Sequence, residues 1–295
     1  MNIIGSSELI VDKNGRIYHL GLKPDDIADT IIMVGDPGRV GIVSGFFDRI
    51  ETKVSNREFI THTGYYRGKR LTVISTGIGT DNIDIVVNEL DALVNIDLEK
   101  REIKKKHKRL TFVRIGTSGG LQENIPVDSF LISKKAIGFD NVLRFYSDSN
   151  RISDPEFEQA FIKYTGWGAK LSVPYIVDAD ESLFNKLKSK KTLDGLTISS
   201  PGFYGPQGRV LRLGLQNPEI NTKIAEFEYK GERITNYEME SSAIYGLAKM
   251  LGHKAVTICA IIANRATKTF SEDYQETVRK LVEYTIERLC EEVIK

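Results

Sequence analysis

Short apolar runs alternate with stretches of helical periodicity along most of this 295-residue chain. Apolar runs without polar alternation are typical of strands buried on both faces of a sheet. The apolar or alternating segments that predict strands are Ile31–Val34, Val54–Tyr66, Leu71–Ser75, Leu110–Ile115, Ser129–Ile137, Leu193–Ser199 and Lys254–Ala263. Strands alternating with helices predict an α/β fold, in which helices flank a twisted and mainly parallel central sheet.

The helical segments are predicted from apolar residues spaced three and four apart. They are a helix that begins at Pro37 and continues to about Phe47, then Asn82–Ile96, Glu181–Lys188, Asn236–Leu251 and Glu272–Val293. Glu238 and Glu240 fall in the first turn of the fourth of these, where acids suit the helix dipole. We expect residues 1–29 to be irregular, and residues 138–168 to form an aromatic, loop-like segment.

The chain contains no internal repeat, low-complexity segment or convincing linker, so we expect one domain over residues 1–295, with residues 1–18 as a peripheral N-terminal segment. A basic run covers Arg101–Arg109. A solvated loop is favoured there over a binding patch, because the run is short and no aromatic residues interleave with it. Both this run and residues 138–168 resemble insertions.

Composition excludes several classes of function. The chain is 41% hydrophobic and 27% charged, with a formal net charge of +1, so no overall electrostatic attraction to nucleic acid or to an anionic membrane is expected. No apolar run is long enough for a membrane span, and no signal peptide is expected. Cys259 and Cys290 lie in apolar segments, which predicts buried free thiols and a cytoplasmic location.

Candidate chemistry follows the predicted strands. Gly116–Gly120 is a Gly-Thr-Ser-Gly-Gly run that we expect to end the strand, since glycines let backbone N–H groups approach a ligand. Arg114 offers a planar fork for phosphate or carboxylate oxygens. An oxyanion site and a tight turn with a paired arginine are equally compatible with these residues. Gly35 and Arg39 lie where a strand leads into a helix N-terminus, a common place for anions.

Four further residues have both a functional and a purely structural interpretation. Gln207 and Arg209 lie in a loop forced by glycine and proline, and could bind an imide or amide edge, although an exposed polar loop is the simpler interpretation. Arg57 could form a surface ion pair with Glu58. His19, as a lone histidine, is more often structural.

Taken together, these stretches resemble uridine phosphorylases, which are members of the trimeric and hexameric nucleoside phosphorylase family. Each motif is weak alone, but seven occur in the family's order, from His19 to the C-terminus. They are Gly-Asp-Pro-Gly-Arg-Val at 35–40, Arg-Glu-Phe at 57–59, Ser-Thr-Gly-Ile-Gly at 75–79, Arg-Ile-Gly-Thr-Ser-Gly-Gly at 114–120, Phe-Tyr-Gly-Pro-Gln-Gly-Arg at 203–209, Tyr-Glu-Met-Glu-Ser at 237–241 and Asn-Arg at 264–265. The last motif favours the uridine branch, because the purine branch usually has Ser-Asp there.

The resemblance implies a role for each matching residue. Phosphate would be bound by Gly35, Arg39, Arg114 and Thr117, with Arg57 contributed to a neighbouring subunit; ribose by Met239 and Glu240, with His19 reaching across a dimer; and uracil by Phe203, Gln207, Arg209 and Arg265. Arg114, Gln207 and Arg209 would be catalytic. The implied reaction converts uridine and phosphate into uracil and ribose 1-phosphate, without an organic cofactor or a metal.

The chain departs from the bacterial pattern at one point. Thr80-Asp81-Asn82 stands where Gly-Pro-Ser is usual, and Asn82 replaces a serine near which, with Glu58, some relatives hold a monovalent cation. The resemblance also implies a homo-oligomer built from dimers, up to a hexamer. The alternatives are a purine nucleoside phosphorylase or nucleosidase of the same fold, or a non-catalytic nucleoside-binding protein; the three arginines at the phosphate positions argue against a nucleosidase.

Overall fold

The computed structural model of the protein describes residues 3–291. Within that range the chain forms fifteen strands and seven α-helices. The strands are β1 (Thr30–Val34), β2 (Arg49–Asn56), β3 (Phe59–Tyr66), β4 (Lys69–Ser75), β5 (Ile96–Asp97), β6 (Glu102–Ile103), β7 (Thr111–Gly120), β8 (Phe130–Gly138), β9 (Tyr175–Asp178), β10 (Thr192–Ser199), β11 (Glu228–Tyr229), β12 (Glu232–Arg233), β13 (Asn236–Glu238), β14 (Lys254–Asn264) and β15 (Thr269–Phe270). The helices are α1 (Pro37–Ser44), α2 (Thr80–Asn95), α3 (Pro155–Thr165), α4 (Glu181–Leu187), α5 (Ile220–Glu226), α6 (Ser241–Leu251) and α7 (Tyr274–Cys290).

Eleven of the described strands form one mixed sheet, which confirms the α/β class. The strands β4, β1, β7 and β14 are parallel neighbours, as are β8, β10 and β13. These two parallel groups meet through antiparallel pairs, β13 with β7 and β14 with β8, so five strands close into a ring. The parallel arrangement expected from the sequence therefore holds within each group, while the sheet as a whole is mixed.

Two hydrophobic layers cover the sheet, and β1 contributes to both. Ile31 and Met33 pack in the layer that contains residues of α2 and α6, whereas Ile32 and Val34 pack in the layer that contains residues of α1, α4 and α7. All four side chains are fully buried. This explains why the strand is a continuous apolar run, because successive side chains of a strand point to opposite faces.

The prediction of a single strand over Val54–Tyr66 is wrong. β2 and β3 form an antiparallel hairpin that turns at Arg57 and Glu58, with Arg57 in the left-handed region at φ 53°. The alternation of apolar and polar residues is the same on both sides of a tight turn, so it does not reveal where one strand ends. This turn also contains neither glycine nor proline, which would have marked it. The hairpin places Arg57 at the tip of two strands, away from the sheet's centre.

The prediction that Gly116–Gly120 cannot extend a strand is also wrong. β7 continues to Gly120, because its glycine-rich half pairs with β14 and then, at Gly119 and Gly120, with β13. A side chain at Gly116 would crowd its neighbours, because an added Cβ would lie 3.0 Å from Cys259 Sγ and 3.2 Å from the Arg114 guanidinium. The run therefore lets strands and a guanidinium approach closely.

Two other predicted segments need correction. The helix expected from Asn236 begins only at Ser241, because residues 236–238 form β13 and pair with β10. Residues 138–168 are not entirely loop-like, since they contain α3, which begins after Asp154 caps its N-terminus. The last predicted helix corresponds to α7, and Val293 lies outside the described residues.

The N-terminal segment is held against the body of the protein. Arg101 donates hydrogen bonds to the carbonyls of Ile4, Gly5 and Leu9, and Leu9 is buried. Most of the basic run that follows is exposed. Both cysteines are free; Cys259 is buried as expected, whereas Cys290 is only half-buried. Among residues 3–291, no helix combines the length and apolar character that crossing a membrane requires.

Candidate active site

A cavity of about 860 Å³ opens at the carboxyl ends of the parallel strands β1, β4, β7 and β14. This is the edge at which open α/β sheets bind ligands. Nine of the residues implicated by sequence line it: Gly35, Arg39, Arg114, Thr117, Phe203, Gln207, Arg209, Met239 and Glu240. The fold thus brings together residues of four motifs that are widely separated in sequence.

One end of the cavity carries two guanidinium groups. Gly35 follows β1, Asp36 caps α1 by accepting from Gly38 N at 2.9 Å, and Arg39 lies in the first turn of the helix. Burial lowers the pKa of Arg39, and the neighbouring Arg114 lowers it further. A neighbouring cation that lowers the pKa of Arg39 favours the binding of an anion between the two groups. This end of the cavity therefore suits phosphate.

Arg114 is buried and uses two of its three nitrogens on carboxylates. Its Nε donates to Glu238 Oε2 at 3.2 Å and its Nη2 donates to Glu240. Burial alone would lower the pKa of Arg114, but Glu240 and Glu238 outweigh burial and raise it, so the group stays charged. Within residues 3–291 the third nitrogen, Nη1, has no hydrogen-bond partner although it is buried. A buried donor of this kind needs a partner, and Arg114 is one of the residues that line the cavity at the end that suits an anion.

Glu238 fixes the start of α6. Its carboxylate accepts hydrogen bonds from Glu240 N at 2.9 Å, from Ser241 N at 3.0 Å and from the Ser199 hydroxyl. Glu238 ends β13 and lies just outside the helix that it caps, so the predicted placement of both acids inside the helix is wrong. The carboxylate satisfies backbone N–H groups that a helix N-terminus leaves unpaired.

Glu240 and Met239 also line the cavity, and Glu240 adjoins the phosphate end through its contact with Arg114. Glu240 accepts from Gly79 N at 2.7 Å in addition to its contact with Arg114. Burial raises the pKa of Glu240, Arg114 opposes that increase, and Glu238 reinforces it. A carboxylate that lines the cavity beside the phosphate end can accept hydrogen bonds from sugar hydroxyls, as implied for ribose.

The other end of the cavity is built around the Gln207 amide. Gln207 is buried, and its Oε1 accepts from Arg209 Nη1 at 2.5 Å and from Arg265 Nη2 at 3.2 Å. The Arg209 guanidinium lies 3.7 Å from the centre of the Phe203 ring. Burial lowers the pKa of Arg209 to about 10, and Arg265 contributes to the same shift. An imide N–H that binds Gln207 Oε1 must take over one of the positions held by these arginines.

Arg265 does not line the cavity. Besides its contact with Gln207 Oε1, it donates through Nη1 to the backbone carbonyl of Gln207, and its guanidinium lies 4.8 Å from the centre of the Tyr237 ring. The structure therefore places Arg265 behind Gln207, where its nearest effect is on the orientation of that amide.

Known proteins resemble this chain over most of its length. Residues 29–295 match the model of the phosphorylase superfamily. The chain belongs to the phosphorylase superfamily. Uridine phosphorylase of Thermococcus kodakarensis is 28% identical to it over 97% of this chain and 91% of that protein. A DeoD-type purine nucleoside phosphorylase of Clostridium perfringens is 29% identical over 91% of this chain and 97% of that protein.

A solved structure of a phosphorylase extends this comparison. The crystal structure of a Trypanosoma brucei nucleoside phosphorylase described as showing uridine phosphorylase activity has a TM-score of 0.86 and 32% identity. The match covers 95% of this chain and 99% of that chain. The superfamily fold is therefore conserved over nearly the whole length of both proteins.

The two residues that the superfamily resemblance assigns to a neighbouring subunit lie together outside the cavity. Arg57 Nη2 donates to the Tyr18 hydroxyl at 3.0 Å, and the Tyr18 and His19 rings are 4.7 Å apart. His19 Nδ1 lies 2.6 Å from Glu89 Oε1. The Arg57, Tyr18 and His19 side chains thus form one surface patch that does not reach the chain's own cavity.

Asn82 and Glu58 lie beside each other at the position where the resemblance implies a monovalent cation in some relatives. The Asn82 amide nitrogen points to Glu58 Oε1, at 3.5 Å. A carboxamide nitrogen is a hydrogen-bond donor, whereas the carboxamide oxygen is an acceptor that can ligate a cation. No group of three or more histidine, cysteine, aspartate or glutamate residues within 3–291 is arranged to hold a metal ion.

Sequence reasoning missed several residues at this site. Ile262 and Phe270 line the cavity, and Tyr237 supports Arg265 from below. Asn221 contacts the Gln207 loop from α5, a helix that the sequence analysis did not predict. Apolar residues on a strand end resemble ordinary core residues, and no local pattern marks an asparagine whose partners lie 14 residues away along the chain.

Proposed function

We propose that this protein is a uridine phosphorylase, which catalyses the reversible conversion of uridine and phosphate into uracil and ribose 1-phosphate. The observation that carries the proposal is that two groups of residues line the same cavity. Arg39 and Arg114 with its free Nη1 lie at one end, and Gln207 with Arg209 lies at the other. The named relatives and the family membership support the same activity.

Phosphate binding is assigned to the arginine end. Phosphate accepts a charge-assisted hydrogen bond from Arg114 Nη1 and lies between that guanidinium and Arg39, with Gly35 and Thr117 beside it. Its negative charge relieves the repulsion that lowers the pKa of Arg39. Phosphate bound in this way is positioned to attack C1′ of the nucleoside.

The chemistry then depends on charge stabilisation. As the C1′–N1 bond breaks, the sugar gains cationic character, which the phosphate dianion stabilises from one side. Negative charge develops on the departing uracil and is stabilised by the donors of Gln207 and Arg209. Glu240 accepts hydrogen bonds from the ribose hydroxyls beside Met239, and Phe203 stacks on the base. Phosphate is itself the nucleophile in this reaction.

The proposed active unit is at least a dimer, and assembly of dimers into a hexamer is compatible with it. The patch of Arg57, Tyr18 and His19 lies outside its own cavity, so Arg57 and His19 are assigned to the phosphate and ribose of a neighbouring subunit. An enzyme of this kind would act in pyrimidine salvage in the cytoplasm.

A purine nucleoside phosphorylase is the main alternative, because relatives with that name are as similar in sequence. The base end favours the pyrimidine. Uracil presents O2, N3–H and O4 along one side, which suits an amide with a guanidinium beside it. A purine would leave these buried polar groups unpaired, and each unpaired group costs about 1–3 kcal/mol.

The decisive experiment measures the release of base from uridine and from inosine, each with and without phosphate. We expect phosphate-dependent uracil release and a preference for uridine of at least about a hundredfold in kcat/KM. Gln207→Ala should reduce uridine turnover and spare phosphate binding, whereas Gln216→Ala, an exposed glutamine in the same segment, should change neither. Comparable turnover of inosine and uridine would overturn the pyrimidine assignment, and turnover without phosphate would indicate a nucleosidase.

A further inference from the structure

The Asn221 side chain uses both ends of its amide on the base-binding end of the cavity, although it does not line that cavity. Its Nδ2 donates to the backbone carbonyls of Gln207 at 3.2 Å and Gly208 at 3.3 Å. Its Oδ1 accepts from the Tyr237 hydroxyl at 3.0 Å. One half-buried side chain in the first turn of α5 thus links the Gln207 loop to β13.

The loop is shaped to accept this contact. Gly208 follows a single helical turn over residues 205–207 and adopts φ 68°, a conformation that other residues rarely take. A Cβ added at Gly208 would lie 1.9 Å from Asn221 Nδ2. The glycine therefore serves two purposes, since it allows the left-handed turn and leaves space for the asparagine amide against the loop backbone.

The oxygen end of the Asn221 amide holds Tyr237, the residue on whose ring the Arg265 guanidinium packs. Tyr237 is almost fully buried, and its ring packs under the Arg265 guanidinium. Arg265 donates to the same Gln207 carbonyl that accepts from Asn221. The Gln207 carbonyl therefore accepts two hydrogen bonds, one from Asn221 and one from Arg265. Asn221 also influences the second, because it holds the Tyr237 ring on which Arg265 packs. Both contacts determine where the Gln207 side chain begins.

We propose that Asn221 is a positioning residue for base recognition, and the inference rests on the proposed function because it takes a pyrimidine as the ligand of Gln207. Asn221 acts through the Gln207 backbone and through Tyr237, without touching the substrate. Asn221 holds the Gln207 amide and the Arg265 guanidinium in the positions from which they can pair with the imide edge of the base. The phosphate end contains no atom that Asn221 contacts within the described residues.

Asn221→Ala tests this role by separating the two substrates. We expect the KM for uridine to rise roughly tenfold, because the lost positioning should cost about as much as one net hydrogen bond. The KM for phosphate should stay unchanged. The preference for uridine over inosine should fall by a similar factor. Asn217→Ala is the matched control, because Asn217 lies in the same segment but, among residues 3–291, its side chain accepts only from Glu219 N; it should behave as wild type.

Asn221→Asp provides a second variant of almost identical shape. It still accepts from Tyr237 but places an acceptor against two carbonyls, so its effect on uridine should equal or exceed that of alanine. A wild-type KM for uridine in both variants would overturn the proposal, and so would an equal loss for uridine and phosphate, which indicates a general structural role. Failure of the proposed function is distinguishable, because the wild-type protein itself would then release no uracil.

Discussion

Replacement of Arg114 by lysine keeps a positive charge at the phosphate end but removes the three-nitrogen fork. In the structure, Nε and Nη2 hold Glu238 and Glu240, and Nη1 remains for the ligand. A lysine ammonium is a single centre that the two buried carboxylates would attract. A hydrogen bond to a charged group contributes about 1.5–3 kcal/mol, so we expect kcat/KM for phosphate to fall roughly ten- to a hundredfold.

Alanine at position 114 is the less informative change. It leaves Glu238 and Glu240 buried beside each other without a counter-charge, and removing one partner of a buried ion pair costs about 3–5 kcal/mol of stability. Loss of activity in Arg114→Ala would therefore mix unfolding with weaker phosphate binding. Lysine retains the counter-charge and separates these two effects.

The assay for Arg114→Lys is the rate of uracil release at saturating uridine over a range of phosphate concentrations, with the melting temperature as a check of folding. Arg144→Lys is the control, because Arg144 also faces a buried glutamate, with its Nη2 3.5 Å from Glu158, but does not line the cavity. Phosphate saturation equal to that of wild type would refute the assignment of Arg114. A rise in the KM for uridine alone would show that Arg114 acts on the nucleoside and not on phosphate.

Two further predictions concern assembly and the thiols. If Arg57 completes a neighbouring site, co-refolding Arg57→Ala subunits with Arg114→Lys subunits should restore about a quarter of wild-type activity. Half of randomly formed dimers contain one subunit of each kind, and one of the two sites in such a dimer is intact. No recovery, or a fully active monomer, would contradict this assignment. Burial raises the pKa of Cys259 to about 12, so a thiol reagent at pH 8 should modify half-buried Cys290 first and Cys259 only after denaturation; equal rates in the native protein would show that Cys259 is accessible.

Local patterns were sufficient for elements whose stabilising contacts follow from their own residues. The apolar run Ile31–Val34 predicted a doubly buried strand, and Pro37 at the first turn predicted the start of α1. The spacing of apolar residues placed α2 within two residues at its start and one at its end. The motifs also identified nine residues that line one cavity, because their order along the chain follows the family's pattern.

Pairing between distant segments decided the rest. Gly116–Gly120 has no strand propensity of its own, yet it is a strand because β14 and β13 supply its hydrogen-bond partners. In the same way, Glu238 resembles a residue of a helix N-terminus, but its pairing within β13 places it outside the helix. The partners of Gly116–Gly120 lie more than about a hundred residues away along the chain, and Glu238 pairs with Ser199 in β10, so no local window contains these partners.

By itself, the sequence determined the α/β class, most helices and strands, and the chemical types of the site residues, because periodicity and motif order are properties of neighbouring positions. Only the tertiary structure decided how those residues share their hydrogen bonds. Arg114 meets carboxylates 124 and 126 positions away, which occupies two nitrogens and leaves the third. Burial makes each of these choices costly to change, so the donors that remain for a ligand are a property of the folded chain.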